Sequence, residues 1–318
     1  MPRLTLEGLD YPMNAPPRLF DRALLRARRE RAAVRGADNF LLDRAAEDLE
    51  ARLSTVARRF ALALDLGTPG EALRRVLKGK VDQVVACEPL AGLRDPSLGP
   101  RVAADEEALP FAEASFDLAV SALALHWTND LPGVLKQVLR ALKPDGLFLA
   151  ALVGGESLTE LRQCLAAAEA ELESGASPRV APFVEVRALG ALLQRAGFAL
   201  PVADVDRVTV RYANIGQLFA DLRAMGATNP LVERRRVPLR RETLFRAGEL
   251  YAQRFADSDG RLRATFDLLW VSAWAPHHSQ QQPLRPGSAK VRLADALGTH
   301  ERKAGEKAQP ARKPGSAD

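Results

Sequence analysis

Apolar residues in the first part of the chain stand among charged ones at helical spacing. In "FDRALLRARRERAA", Leu24, Leu25 and Ala32 sit among arginines. In "NFLLDRAAEDLEARLSTV", Leu41, Leu42, Ala45, Leu49 and Leu53 share a face, so residues 18–59 are predicted to be helical. From Phe60 the pattern changes. "RFALALDL", "VDQVVACE", "RVAAD", "FDLAVSALAL" and "LFLAALVG" are apolar runs of strand length, and "GEALRRVLKG" and "LPGVLKQVLRAL" between them have helical periodicity. Beyond Gly155, "SLTELRQCLAAAEAELES" and "VEVRALGALLQRAGF" read as helices and "ADVDRVTVRY" alternates like a strand. "NIGQLFADLRAMGATNP" and "RETLFRAGELYAQRF" are again helical, and "RATFDLLWVSAWA" reads as a long last strand.

Near-continuous apolar strands alternating with helices imply a sheet covered on both faces. The expected fold is therefore α/β: a doubly wound, mostly parallel seven-stranded sheet, with N-terminal helices and a helical insertion. The predicted organisation is a helical segment over residues 1–59 and a sheet domain over 60–279, with its insertion at about 214–260. Residues 280–318, rich in Gln, Pro, Gly, Lys and Ala, are expected to be a largely disordered tail.

Composition adds little to this picture. The chain has 318 residues, 47% of them hydrophobic, enough for a sizeable core, and no apolar run approaches the length of a membrane span. Its start lacks an apolar signal core, and Cys87 and Cys164 have no metal-binding spacing, so a reducing cytosol is expected. Net charge is +5 and the pI about 9.5, a mild bias that permits an acidic partner without requiring one. The arginines cluster at Arg18, Arg22, Arg26, Arg28, Arg29, Arg31 and Arg35, and again at Arg234, Arg235, Arg236, Arg240 and Arg241. The first expectation for both clusters is a solvated face, and the second is a docking patch.

The chemistry gathers where the first strand ends. "ALDLGTPGEAL" joins an acid, Asp65, to a turn containing Gly67, Pro69 and Gly70, with a helix behind it. A P-loop is excluded because no Lys-Ser or Lys-Thr follows. A dinucleotide loop needs a glycine where Pro69 stands, and proline has no N–H to offer a pyrophosphate. Asp65 would also repel phosphates. S-adenosylmethionine carries no phosphate; its sulfonium and amino group are cationic, and its carboxylate suits the amides of a helix start. Glu88, about 20 residues further on and ending the second strand, is placed to accept from ribose hydroxyls. Asp105 is expected to end the third strand and take the adenine amino group, with the ring against the backbone of Ala104 and Glu106. The competing reading makes Glu88 and Asp105 helix caps. His126 and Trp127 follow the fourth strand at the same edge: weak catalytic candidates, with a packed histidine and a pocket-closing tryptophan as the structural alternative.

These residues resemble the class I S-adenosylmethionine-dependent methyltransferases of the "type 11" group, through "ALDLGTPG", "ACEP" (which adds Pro89), "ADEEALPFAEASFDLAVSALALHW" and "LKPDGLFLAAL". The chain departs from the group's D-x-G-x-G-x-G motif at Pro69 and Glu71. "LFDRALLRARRERAA", "GGESLTELRQCLAAAEAELESGASPRVAPF", "GALLQRAGF", "DVDRVTVRY", "LFADLRAMGATNP" and "GSAKV" are similar to the mitochondrial complex I assembly factor 5 family and its bacterial relatives, over almost the whole chain. That resemblance implies modification of an arginine on the Fe–S subunit near the quinone site of complex I, which in the mitochondrial member is a hydroxylation. Because the chain starts close to the shared core, it also implies the bacterial, cytoplasmic form.

The residues themselves show no iron site. His126 is followed by Trp127 and Thr128, not by a carboxylate, and His277 and His278 on one strand would point to opposite faces. The functions weighed are methyl transfer, arginine hydroxylation, carboxyl methylation on an acidic acyl carrier protein, and a non-catalytic assembly factor. Nucleic acid is not expected as a partner, since no RNA-binding module is evident.

Overall fold

The computed structural model describes residues 18–36, 39–89, 95–173, 175–281, 288 and 291–299. Met1–His278 form one compact unit and Ser279–Asp318 a second. In the second, the described regular structure is a single helical turn, α9 (Leu293–Ala296). Most of the segment expected to be disordered, and part of "GSAKV", lie outside the described residues.

The expected sheet is present. Its strands are β1 (Phe60–Leu66), β2 (Val81–Cys87), β3 (Arg101–Val102), β4 (Phe116–Ala122), β5 (Leu142–Val153), β6 (Ala199–Tyr212) and β7 (Leu262–Trp274). They run in the order β3-β2-β1-β4-β5-β7-β6. β1 pairs parallel with β2 and β4, whereas β7 runs antiparallel between β5 and β6. Chain order reverses beside β1, and in an open α/β sheet ligands bind at the carboxyl ends of the strands flanking such a point.

Helices α1 (Arg22–Val34), α2 (Phe40–Ser54) and α3 (Ala72–Leu77) precede β2. α4 (Leu131–Ala141) links β4 to β5, and α5 (Thr159–Leu172) and α6 (Val186–Ala196) lie between β5 and β6. The predicted insertion is α7 (Ile215–Ala224) and α8 (Arg241–Phe255), joining β6 to β7. Each sheet face buries an apolar layer. On one side Leu49, Leu73, Leu118, Leu161 and Tyr251 pack together; on the other, Leu64, Leu66, Val134, Phe148 and Leu193 do. β1 and β5, covered on both sides, therefore read as continuous apolar runs, while edge strand β6 alternates and leaves Val202 and Val205 exposed.

Three local expectations are corrected. β3 ends at Val102, so Asp105 lies in the turn beyond the strand. β5 starts earlier than its apolar run, at Leu142. His277 and His278 follow the end of β7, and their rings lie side by side, centroids 4.1 Å apart, rather than on opposite faces.

Candidate functional site

The carboxyl ends of β1 and β2 are stitched together before any ligand is considered. The Gly67 N–H donates to the Cys87 carbonyl at 2.7 Å. Ser121 Oγ donates to the Leu66 carbonyl at 2.7 Å, and Thr68 Oγ1 accepts from the Ala122 N–H at 2.9 Å. These bonds hold the glycine turn against β4. Gly67 has φ +70, and a Cβ there would lie 2.6 Å from the Glu106 side chain, so the turn requires glycine for both backbone and space. Gly70 closes the turn with φ +81.

The strand-end acids converge on this edge, and arginines have come to meet them. Asp65 is 2% exposed and lies 3.5 Å from the Nε of Arg74, which is itself 1% exposed; Arg74 also lies 3.9 Å from Glu88. Glu88 forms a second, close ion pair with Arg101. Pro89 follows it, half-buried. Asp105 is bonded by Arg22 and Arg26, each at 2.8 Å, and accepts from the Glu107 N–H at 3.0 Å. Glu106, 0% exposed, forms a close ion pair with Arg22, and Arg29 lies 4.0 Å from it. Burial opposes the charge of Asp105, but its bond to Glu107 and the Arg22 and Arg26 guanidiniums outweigh burial and hold its pKa below the usual carboxylate range. Burial, reinforced by Glu106, Asp65, Asp105 and Glu88, pushes the pKa of the Cys87 thiol up to about 12.

The N-terminal arginine cluster therefore divides: Arg18, Arg31 and Arg35 are solvated, whereas Arg22, Arg26 and Arg29 meet the strand-end acids or lie buried beside them. Asp21 caps α1 by accepting from the Leu24 N–H at 3.0 Å, and the Phe20 N–H donates to Asn129 Oδ1 at 2.8 Å. α1 is thus laid across the strand ends with Arg22, Arg26 and Arg29 turned inward. In the second cluster, Arg234 pairs with Asp21 at 3.1 Å and Arg235 with Glu173, while Arg236, Arg240 and Arg241 are exposed. Asp105 starts a short turn through Glu107 rather than a helix; the residues that would form a helix capped by Glu88, 90–94, lie outside the described residues.

His126 and Trp127 lie in a 3₁₀ turn, Leu125–Trp127, beyond β4. Both are buried. Trp127 meets Phe20 edge-on at 5.4 Å and Phe183 at 5.7 Å. His126 Nδ1 accepts a long 3.4 Å bond from the Val153 N–H. Burial first, and Arg29 second, push the imidazole well below its ordinary pKa, so it is neutral at physiological pH. A neutral ring accepting at Nδ1 carries its proton on Nε2 and can donate there but not abstract. This geometry fits the packed-histidine alternative.

Behind these rings are adjoining cavities that share Trp127, Leu158, Phe183, Leu222 and Ala227. The smaller, about 50 Å³, is bordered by Arg29, Pro69, His126 and Met225; the larger, about 180 Å³, by Leu161, Leu165, Phe219, Arg179 and Arg223. Among the described residues, no group of His, Cys, Asp and Glu is arranged to hold a metal ion, and no helix is long and apolar enough to cross a membrane. Arg74 and Thr68 escaped the sequence reading. Arg74 stands beside Arg75 in a short helix, and nothing local says which of the pair turns inward.

Residues 64–150 match the model of a methyltransferase domain. The chain is 38% identical over 289 residues to arginine-hydroxylase NDUFAF5 of Danio rerio, covering 87% of this chain and 89% of that protein. It is 34% identical over 282 residues to a malonyl-[acyl-carrier protein] O-methyltransferase of Halorhodospira halophila, covering 85% and 94%. Among solved structures, the YcgJ protein of Bacillus subtilis superposes with a TM-score of 0.51 at 13% identity over 73% of this chain and 99% of that one, a likeness of fold. The expected bacterial, cytoplasmic placement is corrected by these findings: the zebrafish relative is a mitochondrial protein.

Proposed function

The chain belongs to a family of class I S-adenosylmethionine-dependent, methyltransferase-fold enzymes that includes the mitochondrial arginine-hydroxylase NDUFAF5, and from that premise we propose that it modifies an arginine on a protein partner. The observation that carries this reading is that the acid-lined edge already accepts guanidinium groups: Arg22 and Arg26 on Asp105, Arg22 and Arg29 on Glu106, Arg74 beside Asp65 and Glu88. A partner's arginine presents the same planar cation.

The residues at this edge fit the cofactor. A buried carboxylate beside a glycine turn with no room for a Cβ suits a cationic, phosphate-free nucleoside and repels a pyrophosphate. Asp65 would hold the amino group, the Gly67–Gly70 turn the carboxylate, Glu88 the ribose hydroxyls, and Asp105, once Arg22 or Arg26 gives way, the adenine amino group, with Pro89 and the Glu106 backbone flanking the ring. The cofactor supplies a carbon already activated by a sulfonium. The protein would then position the acceptor, and a strand-end carboxylate such as Glu106 would take the proton that a guanidinium releases when its N–C bond forms and the S–C bond breaks, which leaves the neutral, packed His126 without that task. Trp127 and Phe183 would exclude water from the acceptor.

The test is mass spectrometry of the Fe–S subunit near the quinone site of complex I, the partner the family resemblance implies, from cells with and without this gene. One arginine is expected to lose a modification of about one methyl or one oxygen in mass when the gene is absent. An unchanged subunit would refute the reading. A second reading has its own observation. The larger cavity is walled by leucines with Arg223 and Arg179 at its side, the latter bound to the buried Glu169, so Arg223 is the cation an anionic acyl group would meet, and a malonyl-[acyl-carrier protein] O-methyltransferase is among the relatives. Methyl transfer to malonyl-carrier protein in vitro, with the complex I subunit unmodified, would favour it.

A further inference from the structure

Arg29 is poorly satisfied for a buried cation. Its Nη2 donates to the Leu123 carbonyl at 3.3 Å, and its Nη1 lies 4.0 Å from the Glu106 carboxylate. Burial outweighs that attraction and pulls its pKa below the ordinary arginine value. For Arg22, the attraction of Glu106 and Asp105 overcomes burial, and its pKa is raised. Glu106 Oε1 is buried without a hydrogen bond. Burying a charge without good partners is costly, so Arg29 gains less from its place than Arg22, whose bonds to Asp105 and Glu106 are close. Arg29 also borders the small cavity lined by Pro69, His126 and Trp127, where the glycine turn meets the aromatic wall.

Resting on the arginine-modifying reading, we infer that the Glu106 carboxylate and the Leu123 carbonyl form the guanidinium site for the acceptor, and that α1 seats its own Arg29, steadied by Arg22, as an internal stand-in. The Glu106 side chain is thereby a specificity-determining group for arginine rather than a cofactor contact. Arg22 and Arg29 are seven residues apart, about two helical turns, so one face of α1 presents both. A substrate arginine has to displace this face. A tethered occupant competes at an effective concentration on the order of millimolar, so it masks the site from a free peptide.

The experiment uses the full chain and a labelled synthetic peptide copying residues 20–35. In the R22Q/R29Q variant the peptide is expected to bind at least about tenfold tighter than to wild type, because the tethered competitor is gone. A peptide with lysine in place of Arg22 and Arg29 is expected to bind at least about tenfold more weakly, since an ammonium lacks the planar fork. Adding Glu106→Gln is expected to abolish the difference between the two peptides. Should the variant fold poorly, the wild-type chain decides: excess arginine peptide speeds amide hydrogen exchange within α1, and the lysine peptide does not. Equal binding to wild type and variant, equal binding of both peptides, or unchanged exchange in α1 overturns the inference. A failed peptide experiment alongside a modified complex I arginine sinks the stand-in alone. Successful displacement with an unmodified subunit sinks the partner and leaves the guanidinium site standing.

Discussion

Replacing Arg74 with methionine tests the electrostatics of the strand edge. The side chain is 1% exposed and lies 3.5 Å from Asp65 and 3.9 Å from Glu88. At an effective dielectric of about 20, each contact is worth roughly 4–5 kcal/mol of attraction. Desolvation of the buried guanidinium, whose Nε and Nη1 lack hydrogen-bond partners, cancels a large part of that sum. Methionine fills much of the volume but removes the guanidinium beside Asp65 and leaves Glu88 with Arg101 as its ion-pair partner, and breaking a buried pair from one side costs about 3–5 kcal/mol. In a domain of about this size, each kcal/mol moves Tm by about 2–4 °C, so the expected loss is about 6–20 °C. The same reasoning fixes the response to cofactor. S-adenosylmethionine brings a cation to acids that have lost one, so its Kd is expected to fall about tenfold. At saturating cofactor that adds about 1.4 kcal/mol to the stabilisation measured in wild type. Differential scanning fluorimetry with a cofactor titration reads both effects. A Tm loss under 2 °C, or weaker cofactor binding in the variant, would refute the idea that Arg74 is a resident counter-ion shared by Asp65 and Glu88.

Asp65→Asn and Glu88→Gln, near-isosteric and uncharged, are expected to weaken cofactor binding about ten- to hundredfold each by calorimetry; unchanged affinity in both would remove these residues from the site. Thr68→Val leaves the buried Ala122 N–H without its acceptor and is expected to cost about 1–3 kcal/mol in urea melts, with a slope like that of wild type. His126 has a folded pKa far below its ordinary 6.5, so the unfolded chain takes up the proton first and stability falls as pH drops below about 6.5. The expected loss is about 1.4 kcal/mol by pH 5.5, and His126→Phe should remove that slope; a variant with the same pH dependence would show that the imidazole is not buried neutral.

The doubly wound sheet was legible because its cause is local. β1 and β5 are covered on both faces, so their runs are continuously apolar, while β6 lies at an edge and alternates. The glycine turn was legible because left-handed backbone at Gly67 and Gly70 has few residue choices. The acids were legible as strand ends, although Asp105 stands beyond β3: a two-residue strand carries too little periodicity to mark its own end. Of the clustered arginines, Arg18, Arg31, Arg35, Arg236, Arg240 and Arg241 are exposed as expected, but the inward turn of Arg22, Arg26 and Arg29 was not legible. Helical spacing puts Arg22 and Arg29 on one side of α1, and in an isolated amphipathic helix the charged side is the wet one.

From its sequence alone this protein owes the alternation of strands and helices, the turn that excludes pyrophosphate, and the supply of carboxylates along the chain. Each follows from the chemistry of neighbouring residues. Which charge meets which was decided in three dimensions: Arg22 contacts Asp105 across 83 positions of sequence, and Arg74 rather than Arg75 turns toward Asp65. Coulomb attraction depends on separation in space and on the water excluded between the groups, and neither quantity exists until the sheet is closed and α1 is laid over its edge.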